Sequence, residues 1–442
     1  MGSIRSYTSQ EPRQRVRGPE SQADEEKRST QNAILPTHEK HHPSRYVLGL
    51  FRVDSAGESG RTGIHPIHFF KVCFKSVCTM SMIVNILWPF VPAAIVMHFA
   101  RPDLHVWVFT LNYIAMVPSA NLLGFAGGEL AKKLPKMLGI LVETTLSAVV
   151  ELVLFMVLLH NHRVGDHEAD FIPVIQAAIL GSILANLLLC LGTCFFVGGL
   201  RRNEQVFHEA VSEVGSGLLL VAGFGLLIPS AFFSALKGAI NHEFTLPMLN
   251  DYALTISRAT AIFEKDEVHD EDRHEEAMRA KLTFAECLVA ICIALACVCM
   301  SAVFLVQEIK YIVARGVSDN FMGLILVPLV EKAAEHLIAV DEAWDNQINF
   351  ALFHCLGPSI QTALLNAPLA VIVGWGLDKP MSLNFEIFMV VLIVLSILVV
   401  GNFLRDGKSN YLEGTLCVLV YMIIAVSTWY YPGVEIAATN QA

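Results

Sequence analysis

Gly139-Ile-Leu-Val-Glu-Thr-Thr-Leu-Ser-Ala-Val-Val-Glu151 and Gly323-Leu-Ile-Leu-Val-Pro-Leu-Val-Glu-Lys-Ala-Ala-Glu335 carry one pattern twice. Each sets a Glu twelve residues after a Gly, inside an apolar run. One apolar run later, each is followed by a polar patch that a Gly opens: Gly181-Ser-Ile-Leu-Ala-Asn186 and Gly357-Pro-Ser-Ile-Gln361. An ionisable group at membrane depth is costly and usually faces a partner or a water-filled path. One such Glu is readily explained as a structural group bonded to a neighbouring helix; two at matched places are not. A duplicated half in a membrane protein predicts a site near the bilayer midplane, where the repeats meet.

The rest of the chain supplies the membrane. Its 442 residues are 54% apolar and 16% charged, against about 45–50% and about 25% in soluble domains. A spanning helix takes about 20 mostly apolar residues. Ten runs qualify: 81–98, 106–126, 137–159, 172–198, 213–236, 283–306, 320–340, 350–376, 384–403 and 412–430. The stretch 65–80 is apolar but holds Lys71 and Lys75, and reads as an interfacial helix. Lys and Arg in short connectors set the orientation. The N-terminal tail, the Lys132/Lys133/Lys136 connector and the Arg201/Arg202 connector fall on the cytosolic side, and the connectors between them on the other.

Residues 1–64 are polar, lack the apolar segment of a signal peptide, and are expected to be a disordered cytosolic tail in which His38, His41 and His42 are solvated. Residues 433–442 form a short C-terminal tail. The net charge of −10 excludes a basic nucleic-acid footprint, and the apolar runs point to the bilayer as a partner. The ten Cys lie in or beside apolar runs without zinc spacing and read as small hydrophobes. No HExxH or nucleophile motif points to an enzyme, and no cofactor is expected.

At the two motifs the chain resembles the calcium/proton exchanger family of the cation/calcium antiporter superfamily, in its fungal vacuolar form. The family segments read roughly Gly-Asn-Ala-Val-Glu and Gly-Asn-Ala-Ala-Glu-His. Here they are Ser147-Ala-Val-Val-Glu151 and Glu331-Lys-Ala-Ala-Glu-His336. The spans after them match as well, with Gly181 to Leu189, Phe195-Phe196, Gln361 and Pro368, as do Leu227-Ile-Pro229 and Ser257-Arg-Ala-Thr260. The resemblance implies an all-α polytopic membrane protein of the vacuolar membrane, with a leading helix and two inverted repeats of about five helices. It implies exchange of cytosolic Ca²⁺ for vacuolar H⁺, with Glu151 and Glu335 holding the transported ion. Ser182, Asn186, Gln361 and His336 would support them. Ca²⁺ favours hard carboxylate oxygens, and a desolvated carboxyl takes either a cation or a proton. The same two groups then serve both ions in turn. In this scheme the leading helix and first repeat occupy 81–240 and the second repeat 283–432.

The chain departs from the family pattern in two places. Ala148 and Lys332 stand where the motif asparagines belong, and Glu331 and Glu143 are additional carboxylates. Lys332 and Glu335 are at i,i+3 and are expected to pair. Glu143 lies about 12 Å along the helix from Glu151 and is expected to extend the ion path. With two ligand oxygens missing and one cation added, Ca²⁺ coupling is expected to be weaker. The alternatives are exchange of Mn²⁺ or a monovalent Na⁺ or K⁺, or a non-transporting regulatory homologue.

The second departure is the sixth span. Ser257 to Phe263 runs straight into an acidic loop with Glu264, Asp266, Glu267, Asp270, Glu271 and Asp272, either a solvated stretch or a cation-attracting regulatory one. Residues 252–263 reach about 18 Å as a helix, too short for a core of about 30 Å. The 241–282 region is therefore read as a degenerate or re-entrant helix at 242–263 plus the acidic loop, or as a place where the sequence lacks a segment. Ten spans would put Arg405 and Lys408 on the lumenal side; eleven put them on the cytosolic side, and the basic residues favour eleven.

Overall fold

The computed structural model describes residues 64–76, 78–162, 171–202, 204–236 and 281–431. In chain order its helices begin with α1 Pro66–Lys75, α2 Thr79–Val84, α3 Phe90–Ala100, α4 His105–Ala131, α5 Lys136–Asn161, α6 Ile172–Leu184, α7 Leu191–Arg201 and α8 Glu209–Leu236. They continue with α9 Phe284–Val313, α10 Asp319–Phe321, α11 Val327–Trp344, α12 Ile348–Gln361, α13 Ala367–Gly376, α14 Ile387–Leu404 and α15 Tyr411–Tyr430. Among the described residues, nine helical stretches are long and apolar enough to cross a membrane, with α2–α3, α6–α7 and α12–α13 each forming one continuous span. The 320–340 run is helical too, as α10–α11. Glu331, Lys332, Glu335, Asp341 and Glu342 set it apart from the nine.

Three spans are interrupted by a π turn, at Ala185–Cys190 between α6 and α7, Met322–Leu326 between α10 and α11, and Thr362–Asn366 between α12 and α13. Such turns carry one residue more than an α-turn and recur at functional sites. All three lie in spans that bear motif residues.

One Gly from each half, Gly181 and Gly323, brings the halves together. A Cβ on Gly181 would lie 2.2 Å from the Leu324 carbonyl oxygen, and one on Gly323 would lie 2.5 Å from that of Val174. Helices in lipid gain little from hydrophobic association, so they pack closely where small residues let backbones meet. Here the backbones of α6 and the 322–326 turn touch, and α6 is enclosed: Ile179, Leu180, Ser182 and Leu184 have no exposed surface.

The connectors sort onto two faces. On the first, strand β1 (Gln205–Val206) pairs antiparallel with β2 (Lys408–Ser409), and Arg201 donates to the Trp344 carbonyl at 3.3 Å. On the second, Lys379 Nζ donates to the His162 carbonyl at 2.8 Å, and Gln176 to that of Ser382 at 2.9 Å. Ser230, near the end of α8, donates to the Leu383 carbonyl at 3.0 Å and so also lies on the second face. Helix α5 ends at the second face, so its start and the end of α4 lie on the first. There Glu129 accepts the Leu282 N–H at 3.2 Å, which puts the start of α9 on the first face.

Lys132, Lys133, Arg201, Arg202, Lys281, Arg405 and Lys408 thus gather on the first face, and Arg101, Lys310, Arg315 and Lys379 on the second. By the positive-inside rule the first face, with its excess of basic residues, is read as the cytosolic one. Helix α8 ends on one face and α9 begins on the other, so the chain on either side of 237–280 stands on opposite faces. The pairing of β1 with β2 excludes the ten-span arrangement, which would send Arg405 and Lys408 away from Arg201. The expected sixth span at 242–263, the acidic loop, His38, His41, His42 and the two tails lie outside the described residues.

Candidate ion site

Helices α5 and α11 bring Glu151 and Glu335 together where the repeats meet. Glu151 is fully buried. Its Oε2 accepts from the Thr362 hydroxyl at 2.9 Å and the Asn366 amide at 3.0 Å, and lies 3.1 Å from Lys332 Nζ. An ammonium and two donors replace the water that burial takes from this group. The same ammonium is 3.8 Å from Glu335 Oε2. Glu335 Oε1 accepts from the Ser147 hydroxyl at 2.6 Å, and 21% of its side chain remains exposed.

The bonding crosses between the repeats both ways. Lys332 of the second reaches Glu151 of the first, and Ser147 of the first reaches Glu335 of the second. This corrects the expectation of a self-contained Lys332–Glu335 pair: the i,i+3 contact is the longer of the two, because the ammonium goes to the more deeply desolvated carboxylate.

The other expected residues divide. Ser182 and Asn186 are fully buried, and His336 Nε2 lies 2.9 Å from Asn186 Oδ1. Glu331 is buried beside Ser182 and Lys332, with both oxygens free of hydrogen-bond donors among the described residues. Gln361 does not reach either glutamate; its amide donates to the Thr144 carbonyl at 3.0 Å and ties α12 to α5. Ala148 is buried and offers no oxygen.

Glu143 lies on the cytosolic half of α5, within electrostatic range of His354, as does Glu335. His354 Nδ1 lies 2.9 Å from Glu342 Oε2, and these two side chains are 27% and 20% exposed. Glu335, Glu342 and His354, each partly exposed, together with Glu143 within electrostatic range of His354, make an acidic group, the vestibule, on one side of Glu151.

Three residues in direct contact with the glutamates were not anticipated as partners. Thr362 and Asn366 are polar groups four apart in an apolar run just after Gln361, a visible signal. Ser147 sits within the first motif itself. Glu151 Oε1, Glu335 Oε2, Asn366 Oδ1 and both Glu331 oxygens have no donor among the described residues. That set of hard oxygens suits a Ca²⁺-like cation or protons, and Lys332 already supplies one positive charge within it.

Comparisons with known proteins bear on the family and the fold. The family profile of the sodium/calcium exchanger protein matches residues 104–262 and 287–430, across both repeats. The vacuolar cation/proton exchanger 2 of Arabidopsis thaliana is 32% identical over 386 residues, covering 82% of this chain and 86% of the relative. The vacuolar calcium ion transporter of Schizosaccharomyces pombe is 30% identical over 375 residues, covering 81% and 87%. The solved structure of native YfkE overlays with a TM-score of 0.67 at 24% identity, covering 79% of this chain and 100% of that one, and shows a shared fold. Both halves of the profile and relatives aligned along most of their length place this chain in the sodium/calcium exchanger protein family.

Proposed function

We propose that the chain is an integral protein of the vacuolar membrane that exchanges a cation for protons, with Ca²⁺ the leading ion, through the Glu151–Glu335 site. The observation that carries this reading is one ammonium shared by two carboxylates from opposite repeats. A place that stabilises a positive charge between two halves of a bundle is where a transported cation would sit. The named functions of the Arabidopsis and Schizosaccharomyces relatives support the choice of ion and membrane.

In this mechanism a cation enters through the cytosolic vestibule and meets Glu335 first. It displaces Lys332 from between the carboxylates and is replaced on the far side by protons on the same oxygens. The two ions compete for one set of oxygens, which couples their movements. Because each repeat contributes one glutamate, rocking of one against the other would open the site alternately to the two faces.

Lys332 also favours a second reading, in which the tethered ammonium holds the site permanently and the protein acts as a non-transporting regulatory homologue. Vesicles with an imposed pH gradient separate the two. Proton flux driven by Ca²⁺, Mn²⁺, Na⁺ or K⁺ supports exchange and names the ion; no flux with any of them supports the regulatory role. Lys332→Asn with Ala148→Asn restores two amide ligands and removes the internal cation, and Ca²⁺ uptake is expected to rise. Uptake no better than that of the unaltered protein would sink the proposed site.

A further inference from the structure

The sequence scatters its cysteines, and the fold gathers three of them. Cys190 closes the π turn after Asn186, and Cys194 follows one helical turn later on α7. Cys355 comes from α12 in the other repeat. All three are buried. Their sulfurs lie within 4.8 Å of one another, with Cys355 and Cys190 3.3 Å apart. The cluster uses none of the carboxylate ligands and lies within electrostatic range of Glu335, Glu342 and His354.

We propose that Cys190, Cys194 and Cys355 form a binding site for a soft divalent metal ion of the Cd²⁺ or Zn²⁺ type, bridging the two repeats. Three sulfurs around a metal at about 2.3 Å stand about 4 Å apart, which the observed spacing meets with side-chain adjustments alone. Thiolates select soft ions over Ca²⁺, so the site does not compete with the oxygen site for the transported ion. When the ion binds, the three S–H bonds are replaced by three S–metal bonds and three protons leave to water. The complex then carries a net charge of −1, with His354 within electrostatic range of it. A metal held this way ties α7 to α12 and restrains any movement of one repeat against the other, so occupancy is expected to slow exchange.

The test uses the full chain in detergent, kept reduced, in excess Ca²⁺, and titrated with Cd²⁺ alone. Carboxylates give no sulfur-to-cadmium charge-transfer absorption, so that band reports the thiols. The expected result is a saturable band from a single Cd²⁺ per chain. It is lost in Cys190→Ser and in Cys355→Ser, and retained when Cys73, Cys78, Cys287, Cys292, Cys297, Cys299 and Cys417 are all replaced by Ser. Cys355→Ala, an apolar change suited to a buried position, gives a second variant should a serine prevent folding. A band that survives in Cys190→Ser or in either Cys355 variant, or disappears from the folded protein that keeps only the three cysteines, overturns the proposal.

Discussion

Glu151 and Glu335 hold matched places in the two repeats and live in unlike surroundings. Glu151 is sealed in, with one oxygen shared by Thr362, Asn366 and Lys332. Glu335 keeps one donor, Ser147, and is one-fifth exposed on the cytosolic half. A repeated motif therefore specifies where a carboxylate stands, and the facing repeat decides what it can do there. The sealed copy depends on its counter-charge for the stability of the fold. The open copy keeps part of its surface free of packing.

The largest expected effect is at the sealed side. Lys332→Ala leaves Glu151 buried without a cation and should cost about 3–5 kcal/mol, read as a lower unfolding temperature in detergent. Glu335→Gln should change stability by no more than about 1 kcal/mol, because water and Ser147 still satisfy the amide, while abolishing exchange in vesicles. Equal losses of stability in the two variants would break the comparison. Thr362→Val removes a hydrogen bond to a buried charge and is expected to cost about 1.5–3 kcal/mol, in the same unfolding assay. Gly181→Ala tests whether the repeats need backbone contact to face each other. Its methyl would meet the Leu324 carbonyl, with an overpacking cost of about 1–3 kcal/mol. Small effects belong to the open side: Ser147→Ala, like Glu335→Gln, should cost little, about 0.5–1.5 kcal/mol, and a larger loss than that of Thr362→Val would reverse the assignment of sealed and open sites.

Much of this was legible in the residues. Ten apolar runs, the doubled Gly–Glu spacing and the basic connectors led to the bundle, the two glutamates and the side of the membrane. What stayed hidden depends on distances across the repeats. Lys332 reads as a partner of Glu335 because local spacing is all a sequence displays, and its shorter contact with Glu151 exists only once α5 and α11 are packed. Gln361 carries the look of a ligand, yet its amide is used to hold α12 against α5. Thr362 and Asn366 are ordinary polar residues until the π turn aims both at one oxygen. The three cysteines are far apart in the chain or buried in hydrophobic context, and only the crossing of α7 with α12 makes them a group. Hydropathy left the ten-span arrangement open, and a four-residue ribbon, β1 with β2, ruled it out.

The π turn at Thr362–Asn366 acts as a change of phase within a single rod. Cys355 and Asn366 are eleven residues apart, about three α-helical turns, and in an uninterrupted α-helix they would stack on one side. One additional residue in a turn offsets all that follows by up to about 100°. The span thereby presents Cys355 to Cys190 on one helix and Asn366 to Glu151 on another. Deleting one residue from this turn would leave length, composition and hydropathy almost untouched, and would take one of the two partners away.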